Sequence, residues 1–383
     1  MTSNLISIER LREISDIKIK HIERLLKVEP QDNSFLNMLP RDIHKKIINA
    51  YKSIMPKYVL RNWFPKDKIN WNALSKNSFA IELLKEKVQS EKNMTKEEYN
   101  KLENNKKINW KYLSANECAI DILKQYEKDI VWSYFCDNKN PRAFDMIKDR
   151  IEYEKMTPTT SEEEEEEEEE YMFHRIDWNR LAINENPKII ELVKENIKEI
   201  DWIYLASNPN AVQLLEEYNI ELYRTGLEEN PNPIAIELLK TNPEKIFWKY
   251  LSLNPNAIEL IKERIKYEQN LSIEEYENLS DHKKIDWYYL TLNSNAIEIL
   301  KRNYNKICWP VLGNNPNAIE LLKKIPEKIF WNILSLNPNA IELIKERIDY
   351  EKSLSIDEYE NLEWYKRIDY DYLSENTGIF MLV

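Results

Sequence analysis

A stretch of seventeen residues occurs twice in the chain in nearly identical form. Residues 246–262 read IFWKYLSLNPNAIELIK and residues 329–345 read IFWNILSLNPNAIELIK, and weaker copies occur elsewhere. A short motif that recurs in tandem is typical of a repeat array, in which each unit buries its apolar face against its neighbours. This duplication predicts a repeat architecture for most of the chain.

Tryptophan marks the repeat. Nine of the eleven tryptophans occupy one position of the frame Ile-x-Trp-x-x-Leu-Ser-x-Asn-Pro-Asn-Ala-Ile-x-Leu-Leu-Lys. They are Trp71, Trp110, Trp132, Trp178, Trp202, Trp248, Trp287, Trp309 and Trp331. Leu222 and Tyr370 take this position in two degraded copies, which predicts about eleven units of about 22 residues.

Each unit is predicted to hold two helical pieces. An asparagine stands six residues after the tryptophan, often followed by proline, and Asn-Pro is a typical helix start because asparagine caps free amides and proline needs no partner for its nitrogen. The cap candidates are Asn77, Asn116, Asn208, Asn254, Asn293, Asn315 and Asn337. After the cap, Ile258, Leu260 and Ile261 share one face of an amphipathic α-helix. The piece that begins at tryptophan is barely two turns long, which predicts a short or 3₁₀ helix.

The composition agrees with helices. Glycine occurs only 3 times in 383 residues, whereas sheet-and-turn folds and phosphate-binding loops use glycine wherever φ is positive. We therefore predict an all-α fold, an α-solenoid of about eleven ~22-residue helical repeats, each a short or 3₁₀ helix plus an α-helix. Four of the repeats carry helical-hairpin insertions.

The insertions lie near residues 86–107, 149–175, 263–284 and 346–367. Ser272 with Glu275 forms the pattern of a capping box, which predicts a further helix inside the insertion. In the second insertion a run of nine glutamates, residues 162–170, replaces the middle. Such a run is typical of a solvated segment, and docking of a basic partner or of divalent ions is the alternative.

The chain divides into residues 1–65, which lack the repeat, and residues 66–383, the helical repeat solenoid. Open solenoids need a terminal cap with a polar outer face. We therefore predict that residues 1–65 form a helical cap on the exposed face of the first repeat.

Charge and hydropathy exclude several functions. The net charge is −12, but without the nine glutamates of the run it is −3, so no extended basic surface for nucleic acid is expected. No stretch approaches the length and apolarity of a signal peptide or a membrane span. We expect no membrane contact and an intracellular location. Cys118, Cys136 and Cys308 are odd in number and widely spaced, which favours free and mostly buried thiols.

The chain offers no recognisable catalytic pattern. The four histidines have no Cys or His neighbours at metal-ligand spacing, and the phosphate-loop, nucleophile-elbow and zinc-protease motifs are missing. The sequence therefore predicts no enzyme, no metal site and no cofactor.

A tyrosine recurs two residues after the tryptophan, and Tyr112, Tyr204, Tyr250 and Tyr289 are the candidates for binding a partner. An exposed aromatic column can grip a peptide. The interpretation that such a column belongs to the core between repeats is the one we favour from sequence alone.

The repeated motif Ile-Asp-Trp-x-x-Leu-Ser-x-Asn-Pro-Asn-Ala-Ile resembles that of the Trp/Asn-Pro repeat proteins of giant DNA viruses of amoebae, over about 320 residues. This resemblance implies a viral source, with a location in the host cytoplasm or the virion. The alternation of short and longer helices is similar, in architecture alone, to the leucine-rich repeat variants.

The segment FLNMLPRDIHKKIINAY, residues 35–51, resembles the opening helix of an F-box, with Leu39, Pro40, Ile43 and Ile47 at matching positions. An F-box docks a ubiquitin-ligase adaptor while repeats select the substrate. The resemblance implies a repeat protein that binds another protein and recruits it to a host ubiquitin ligase. The alternative is a structural component of a virion or viral replication factory.

Overall fold

The computed structural model describes residues 57–157, 174–218 and 226–383. Residues 58–382 form one compact unit. Within the described ranges this unit is helical apart from two three-residue strands. The predicted all-α repeat solenoid is confirmed.

We number the units 1 to 11 by a buried asparagine that recurs in each. In chain order these residues are Asn77, Asn116, Asn138, Asn184, Asn208, Asn230, Asn254, Asn293, Asn315, Asn337 and Asn376. Apart from unit 6, part of which lies outside the described residues, each unit has a first helix before this asparagine, and every unit has a second helix or 3₁₀ turn after it.

The first helices are short. They span Trp71–Leu74, Trp110–Ala115, Trp132–Phe135, Trp178–Ile183, Trp202–Ser207, Trp248–Leu251, Trp287–Leu292, Trp309–Leu312, Trp331–Leu334 and Tyr370–Glu375. The second helices span Ile81–Lys92, Ile120–Gln125, Ala143–Met156, Ile189–Glu195, Val212–Glu217, Pro233–Lys240, Ile258–Gln269, Ile297–Arg302, Ile319–Leu322 and Ile341–Ser353. Three further helices lie in the insertions, at Lys96–Lys101, Ile273–Glu277 and Ile356–Glu360.

Turns of 3₁₀ helix connect these pieces. Those before a first helix are Lys66–Lys68, Asn104–Lys106, Glu127–Asp129, Ile197–Glu199, Pro243–Lys245, Asp281–Lys283, Tyr304–Lys306, Pro326–Lys328 and Trp364–Lys366. Those before a second helix, or in its place in unit 11, are Ser78–Ala80, Glu117–Ala119, Pro255–Ala257, Pro338–Ala340 and Thr377–Ile379. Leu227–Glu229 stands where unit 6 would have its first helix.

The first helix starts where a polar side chain can cap it. Asp286 accepts hydrogen bonds from the N–H groups of Tyr288 at 2.9 Å and Tyr289 at 3.2 Å, which satisfies amides that have no partner inside the helix. The leucine three residues after the tryptophan, for example Leu251 or Leu290, is fully buried. These leucines and the second-helix isoleucines form one continuous core along the array.

The tryptophans pack against this core as half-buried residues, and Trp248 is buried. In the units with insertions the outer face of the indole is covered by a basic side chain from the second helix. Arg264 lies 5.1 Å from the Trp248 ring and Arg347 lies 5.1 Å from the Trp331 ring. A guanidinium over an indole is a favourable cation–π contact.

The same basic residue fixes a buried glutamate one helical turn later. Arg347 contacts Glu351 at 3.3 Å, and Glu351 accepts the Ile368 N–H at 2.9 Å where the chain returns from the insertion. In the same way Glu268 pairs with Arg264 at 3.1 Å and accepts the Ile285 N–H at 2.9 Å. Burial raises the pKa of both carboxyl groups. Each insertion is therefore anchored at its base by a paired, hydrogen-bonded carboxylate.

The asparagine that defines each unit also ties it to the preceding unit. Asn254 accepts the N–H of Asn256 at 3.0 Å, and its Nδ2 donates to the carbonyl oxygens of Glu228 at 2.8 Å and Asn230 at 2.9 Å. All eleven asparagines are buried, and those of units 2 to 11 each donate to a carbonyl oxygen of the preceding unit, with two such bonds in every unit except 2 and 11. The result is a ladder of side-chain amides through the array.

A side-chain hydroxyl makes a second hydrogen bond between neighbouring units. The Ser252 Oγ donates to the Trp248 carbonyl at 2.7 Å and accepts the Asp286 N–H of unit 8 at 3.1 Å. Thr291 accepts the Cys308 N–H in the same way. In unit 6 the position belongs to Glu228, whose carboxylate accepts the Phe247 N–H at 3.0 Å.

The ladder does not end at unit 11. Asn77 of unit 1 donates to the carbonyl oxygens of Ser374 at 3.2 Å and Asn376 at 3.1 Å. The Asn70 N–H donates to the Ser374 hydroxyl at 3.1 Å. These are the contacts that join chain neighbours elsewhere, so the array closes on itself as a ring.

Two short strands pair where the ring closes, and we call this strand pair the latch. Strand β1, Tyr58–Leu60, pairs antiparallel with strand β2, Phe380–Leu382, with Val59 opposite Met381. The Arg61 Nε donates to the Gly378 carbonyl at 2.9 Å, and the ring of Tyr58 stacks on Phe79 with centroids 4.0 Å apart.

Ring closure changes the expectation for the N-terminal region. The face of unit 1 that was expected to need a cap is covered by the first helix of unit 11. The compact unit begins at Tyr58, inside the predicted cap of residues 1–65. Residues 1–56, which carry the rest of that prediction, lie outside the described residues.

Unit 6 departs from the frame used to predict it. The first helix of a unit begins six residues before its asparagine, so Asn230 puts this position at residue 224 rather than at Leu222. Both residues lie outside the described ranges. Leu227, three residues before Asn230, is buried like its counterparts.

Candidate functional site

The first helices lie closer together than the second helices. Trp110–Ala115 contacts Trp132–Phe135, Trp178–Ile183 contacts Trp202–Ser207, and Tyr370–Glu375 contacts Trp71–Leu74, whereas neighbouring second helices lie farther apart. In a closed ring the layer with the closer spacing is the inner one. The first helices therefore line the inside of the ring.

One side of each first helix faces away from the core. Positions +3 and +4 after the tryptophan are buried with it, so positions +1, +2 and +5 lie on the opposite side at about 100° per residue. We call the surface made by these positions and the capping position −1 the inner face.

The tyrosines at position +2 belong to the inner face. The exposed fraction is 43% for Tyr204, 37% for Tyr250 and 37% for Tyr372, and Tyr112 and Tyr289 are half-buried. The expectation that this column lies in the core between repeats is wrong, because position +2 points about 200° away from the tryptophan.

The tyrosines of adjacent units approach each other. The ring centroids of Tyr250 and Tyr289 are 6.3 Å apart, and Phe247 lies 6.4 Å from Tyr250. Tyr288 packs edge-on against Tyr289 at 5.5 Å. Units 7 and 8 thus present a patch of aromatic rings on the inner face.

Some inner-face tyrosines are covered by cations of the chain itself. Lys76 lies 4.3 Å from the Tyr112 ring and Arg180 lies 4.3 Å from the Tyr134 ring. Lys249 lies 5.9 Å from both Tyr250 and Tyr289. These distances are within the range of cation–π attraction.

The inner face carries more negative than positive charge. Among the described residues at its four positions, eight are acidic and four are basic. The acidic residues are Asp137, Asp177, Asp201, Glu229, Asp286, Asp369, Asp371 and Glu375, and the basic ones are Lys76, Lys111, Arg180 and Lys249. Lys76 pairs with Glu375 at 2.9 Å, and Arg180 pairs with Asp137 and with Asp177.

The predicted structural residues occupy the positions that the sequence assigns to them. The nine tryptophans stand at the starts of first helices. The N–H two residues later is accepted by each of Asn77, Asn116, Asn208, Asn254, Asn293, Asn315 and Asn337. Asn138, Asn184, Asn230 and Asn376 do the same. The predicted adaptor-binding residues Leu39, Pro40, Ile43 and Ile47, and the glutamate run, lie outside the described residues.

The three cysteines are free thiols, but only Cys136 is buried, and burial raises its pKa. Cys118 is exposed, contrary to the expectation of mostly buried thiols, because it stands two residues after the ladder asparagine Asn116, where the chain meets solvent.

A cleft of about 390 Å³ lies between units 3 and 4, lined by Glu154, Arg175, Trp178 and Glu199 among others. Glu154 is engaged by Arg150 at 2.8 Å and by the Ile176 N–H at 3.2 Å. Its carboxylate serves as the anchor of the insertion, as in units 7 and 10.

Within the described ranges no group of three or more His, Cys, Asp and Glu side chains is placed to hold a metal ion. No helix of those ranges combines the length and apolarity that a bilayer span needs.

Glu228 is a buried residue that sequence reasoning missed. It is fully buried, one carboxylate oxygen accepts the Phe247 N–H, and Oε2 has no hydrogen-bond partner. Burial raises the pKa of this carboxyl group. The signal was available, since glutamate stands in a position that other units fill with serine, threonine, cysteine, alanine or glycine.

No protein-family model, curated protein or solved structure matches this chain.

Proposed function

We propose that this chain is a non-enzymatic binding protein, a closed ring of helical repeats that takes a protein partner on its inner face. The observation that carries the proposal is the exposure of the position +2 tyrosines, which were expected in the core. Aromatic side chains are enriched in protein interfaces because they bury large apolar areas at low entropic cost.

The arrangement of the rings supports a binding role. A tyrosine at position +2 keeps part of its ring outside the core, yet the position is tyrosine in Tyr112, Tyr134, Tyr204, Tyr250, Tyr289 and Tyr372. The rings stand on short helices that are fixed on both sides by the asparagine ladder. A rigid, preorganised surface loses little entropy when it binds.

Site-specific photo-cross-linking tests the proposal. A benzophenone amino acid replaces Tyr250 in the full chain, and Tyr267, which is 48% exposed on the second helix of the same unit, serves as the control position. We expect a specific protein to be cross-linked from a lysate of the expressing cells at Tyr250 and also at Tyr204, but not at Tyr267. Cross-linking at Tyr267 alone, or at no position, contradicts the proposal.

The proposal extends to the role of a viral receptor that brings its partner to a host ubiquitin ligase, in which Leu39, Pro40, Ile43 and Ile47 would contact the adaptor. A chain that begins at Lys57 tests this role, because it keeps strand β1 and the ring closure. Adaptor capture by the full chain and its loss from the shortened chain are expected. Retained capture contradicts the adaptor role and leaves the ring surface as the binding site.

A structural role in a virion or replication factory is the alternative. Ring closure bears on it, because the stacking faces of units 1 and 11 cover each other and are not available for end-to-end assembly. Abundance of the chain in purified particles, without a partner cross-linked at Tyr250, would favour this alternative.

A further inference from the structure

Three units combine an aspartate cap with a tyrosine on the inner face. Units 5, 8 and 11 have aspartate at −1 and tyrosine at +2, as Asp201 with Tyr204, Asp286 with Tyr289, and Asp369 with Tyr372. Residues three apart on a helix are neighbours on its surface. Each of these units therefore places a carboxylate beside an accessible aromatic ring.

In the units without an aspartate cap the chain supplies its own cation. Tyr112 follows Asn109 and is covered by Lys76, and Tyr134 follows Val131 and is covered by Arg180. Tyr250 follows Phe247 and has Lys249 within 5.9 Å.

Units 5 and 11 differ from these units. Within the described residues no Lys or Arg lies over the rings of Tyr204 and Tyr372, and Asp201, Asp286 and Asp369 form no salt bridge. Tyr289 has only the more distant Lys249, which it shares with Tyr250. Each aspartate uses Oδ1 to cap its helix, as Asp369 does for Asp371 and Tyr372 at 2.9 and 3.0 Å.

Unit 4 shows how a cation is held on this surface. Arg180 stands at +2, stacks on the Tyr134 ring at 4.3 Å, and pairs with Asp137 and with its own capping residue Asp177. Its guanidinium is thus held between an aromatic face and carboxylates. The planar guanidinium favours this combination of stacking and ion pairing.

We propose that the inner face binds an extended polypeptide segment rich in arginine or lysine, whose cationic side chains fill the Asp201–Tyr204, Asp286–Tyr289 and Asp369–Tyr372 pairs. This inference rests on the proposed function and names the chemistry of the partner. The excess of acidic over basic groups on the inner face attracts such a segment from solution and disfavours nucleic acid.

The ring is wide enough for such a segment. Helices pack side by side at about 8–10 Å, so eleven of them form a circle of about 14–18 Å radius. Subtracting about 5–6 Å for the half-width of a helix with its side chains leaves an opening of about 17–24 Å. An extended chain, or a single helix of about 10–12 Å diameter, fits through this opening.

Fluorescence anisotropy with defined peptides tests the inference on the full chain. The probe is a dye-labelled twelve-residue peptide of alternating arginine and serine, with a lysine version beside it. The control peptide replaces each arginine by citrulline, which keeps the shape and removes the charge. We expect binding of the arginine peptide that weakens with salt, and at least about tenfold weaker binding of the citrulline peptide.

The matched variant combines D201N, D286N and D369N. Asparagine caps the equivalent helix in units 1 and 2, so these substitutions keep the cap and remove the charge. We expect the Kd of this variant to rise about tenfold. The control removes three charges outside the inner face, D281N, D357N and E274Q, and should leave the Kd within about twofold. Tyr204→Leu with Tyr372→Leu should weaken binding, and Tyr267→Leu with Tyr350→Leu should not.

An unchanged Kd in the aspartate variant, equal binding of the citrulline peptide, or no binding of either cationic peptide overturns the inference. A partner cross-linked at Tyr250 that binds without basic residues would overturn it too and leave the proposed function standing. Binding of the arginine peptide with no partner cross-linked at Tyr250 would support the inference and contradict the proposed function.

Discussion

The junction between units 7 and 8 and the junction between units 11 and 1 use the same repeat positions but are held differently. At the first, Asn293 donates to Ser252 and Asn254, and a second amide, Asn295, donates to the Pro255 carbonyl at 2.9 Å. The chain runs through this junction. At the second, Asn77 makes the ladder contacts, but no peptide bond connects the two units in sequence.

The closing junction replaces the missing connection with other contacts. Phe79 stands where Asn295 stands, and it stacks on Tyr58 of strand β1 instead of donating a hydrogen bond. Strand β2 then pairs with β1. The comparison teaches that the asparagine ladder sets the spacing of units whether or not the chain is continuous, and that the latch replaces the linker.

The largest expected effect comes from removing a buried aromatic ring, either at the closing junction or in an interior unit. Phe380 anchors β2 at 4% exposure, and Phe135 is a fully buried residue of unit 3. Phe380→Ala and Phe135→Ala should each lower the free energy of unfolding by about 3–5 kcal/mol, because each leaves a cavity. Chemical denaturation measures the loss. In hydrogen exchange, only Phe380→Ala should expose the amides of Leu60 and Asn70, and equal exposure in both variants would break the comparison.

The ladder gives the next effect. Asn254→Ala and Asn77→Ala remove a cap and two donated hydrogen bonds at an internal and at the closing junction. The cap alone is worth about 1 kcal/mol, and the hydrogen bonds bring the expected loss to about 2–4 kcal/mol. Matching losses in thermal and chemical melts would show that the ladder acts alike at both junctions. A much smaller loss for Asn77→Ala would mean that the latch alone closes the ring.

Two glycines sharpen the comparison further. A Cβ on Gly378 would lie 2.4 Å from the Ile341 Cγ1 and 2.8 Å from the Pro338 carbonyl oxygen, whereas a Cβ on Gly313 would meet the Leu334 nitrogen at 3.0 Å. Gly378→Ala at the closing unit should cost about 1–3 kcal/mol by overpacking. Gly313→Ala in unit 9 should be nearly neutral, since the tight contact offsets the gain from a less flexible unfolded chain. A neutral Gly378→Ala would show that the contact between the closing unit and unit 10 has room to move.

The smallest expected effect is on pH dependence. Tyr370 takes the tryptophan position of unit 11, and burial, with the nearby Glu351, raises its pKa to about 12. The unfolded chain loses this proton near pH 10, so the stabilisation is complete below pH 10 and is lost as pH rises towards 12. Ultraviolet titration of the chain beside Tyr370→Phe should assign a late-ionising component to Tyr370. Phe64→Ala removes a ring that packs edge-on against Tyr370 at 6.3 Å and should lower the pKa of Tyr370, and an unchanged titration would contradict that.

Local features of the fold could be predicted from the sequence because they depend on neighbours in the chain. The Asn254 cap, the amphipathic helix Ile258–Gln269 and the capping box of Ser272 with Glu275 follow from residues within one or two turns. The period of about 22 residues follows from counting.

Ring closure could not be predicted in this way. It depends on a rotation of about 33° per unit accumulating to a full turn over eleven units, and no single unit encodes that angle. The donor side of the asparagines was also missed, because the carbonyl groups that accept from Asn254 lie 24 and 26 residues away.

The residues of the candidate site could be identified from the sequence, but their exposure could not. The sequence identifies Tyr204 and Tyr250 as unusual, but their burial depends on whether the first helices are sandwiched between layers or line an opening. Apolar residues on both sides of the short helix favoured the sandwich. The structure instead places position +2 on the inner face, because the isoleucine before the helix and the leucine within it already fill the core.

Closure by the Asn77 ladder contact has a consequence for how this chain can change length over generations. An open array tolerates the gain or loss of a repeat at either end, whereas here ten units would have to share one full circle at about 36° each. Every ladder asparagine would then have to reach carbonyl oxygens of the preceding unit at a changed distance. Deletion or duplication of one repeat is therefore expected to be selected against unless its loss of fit is compensated around the whole circumference.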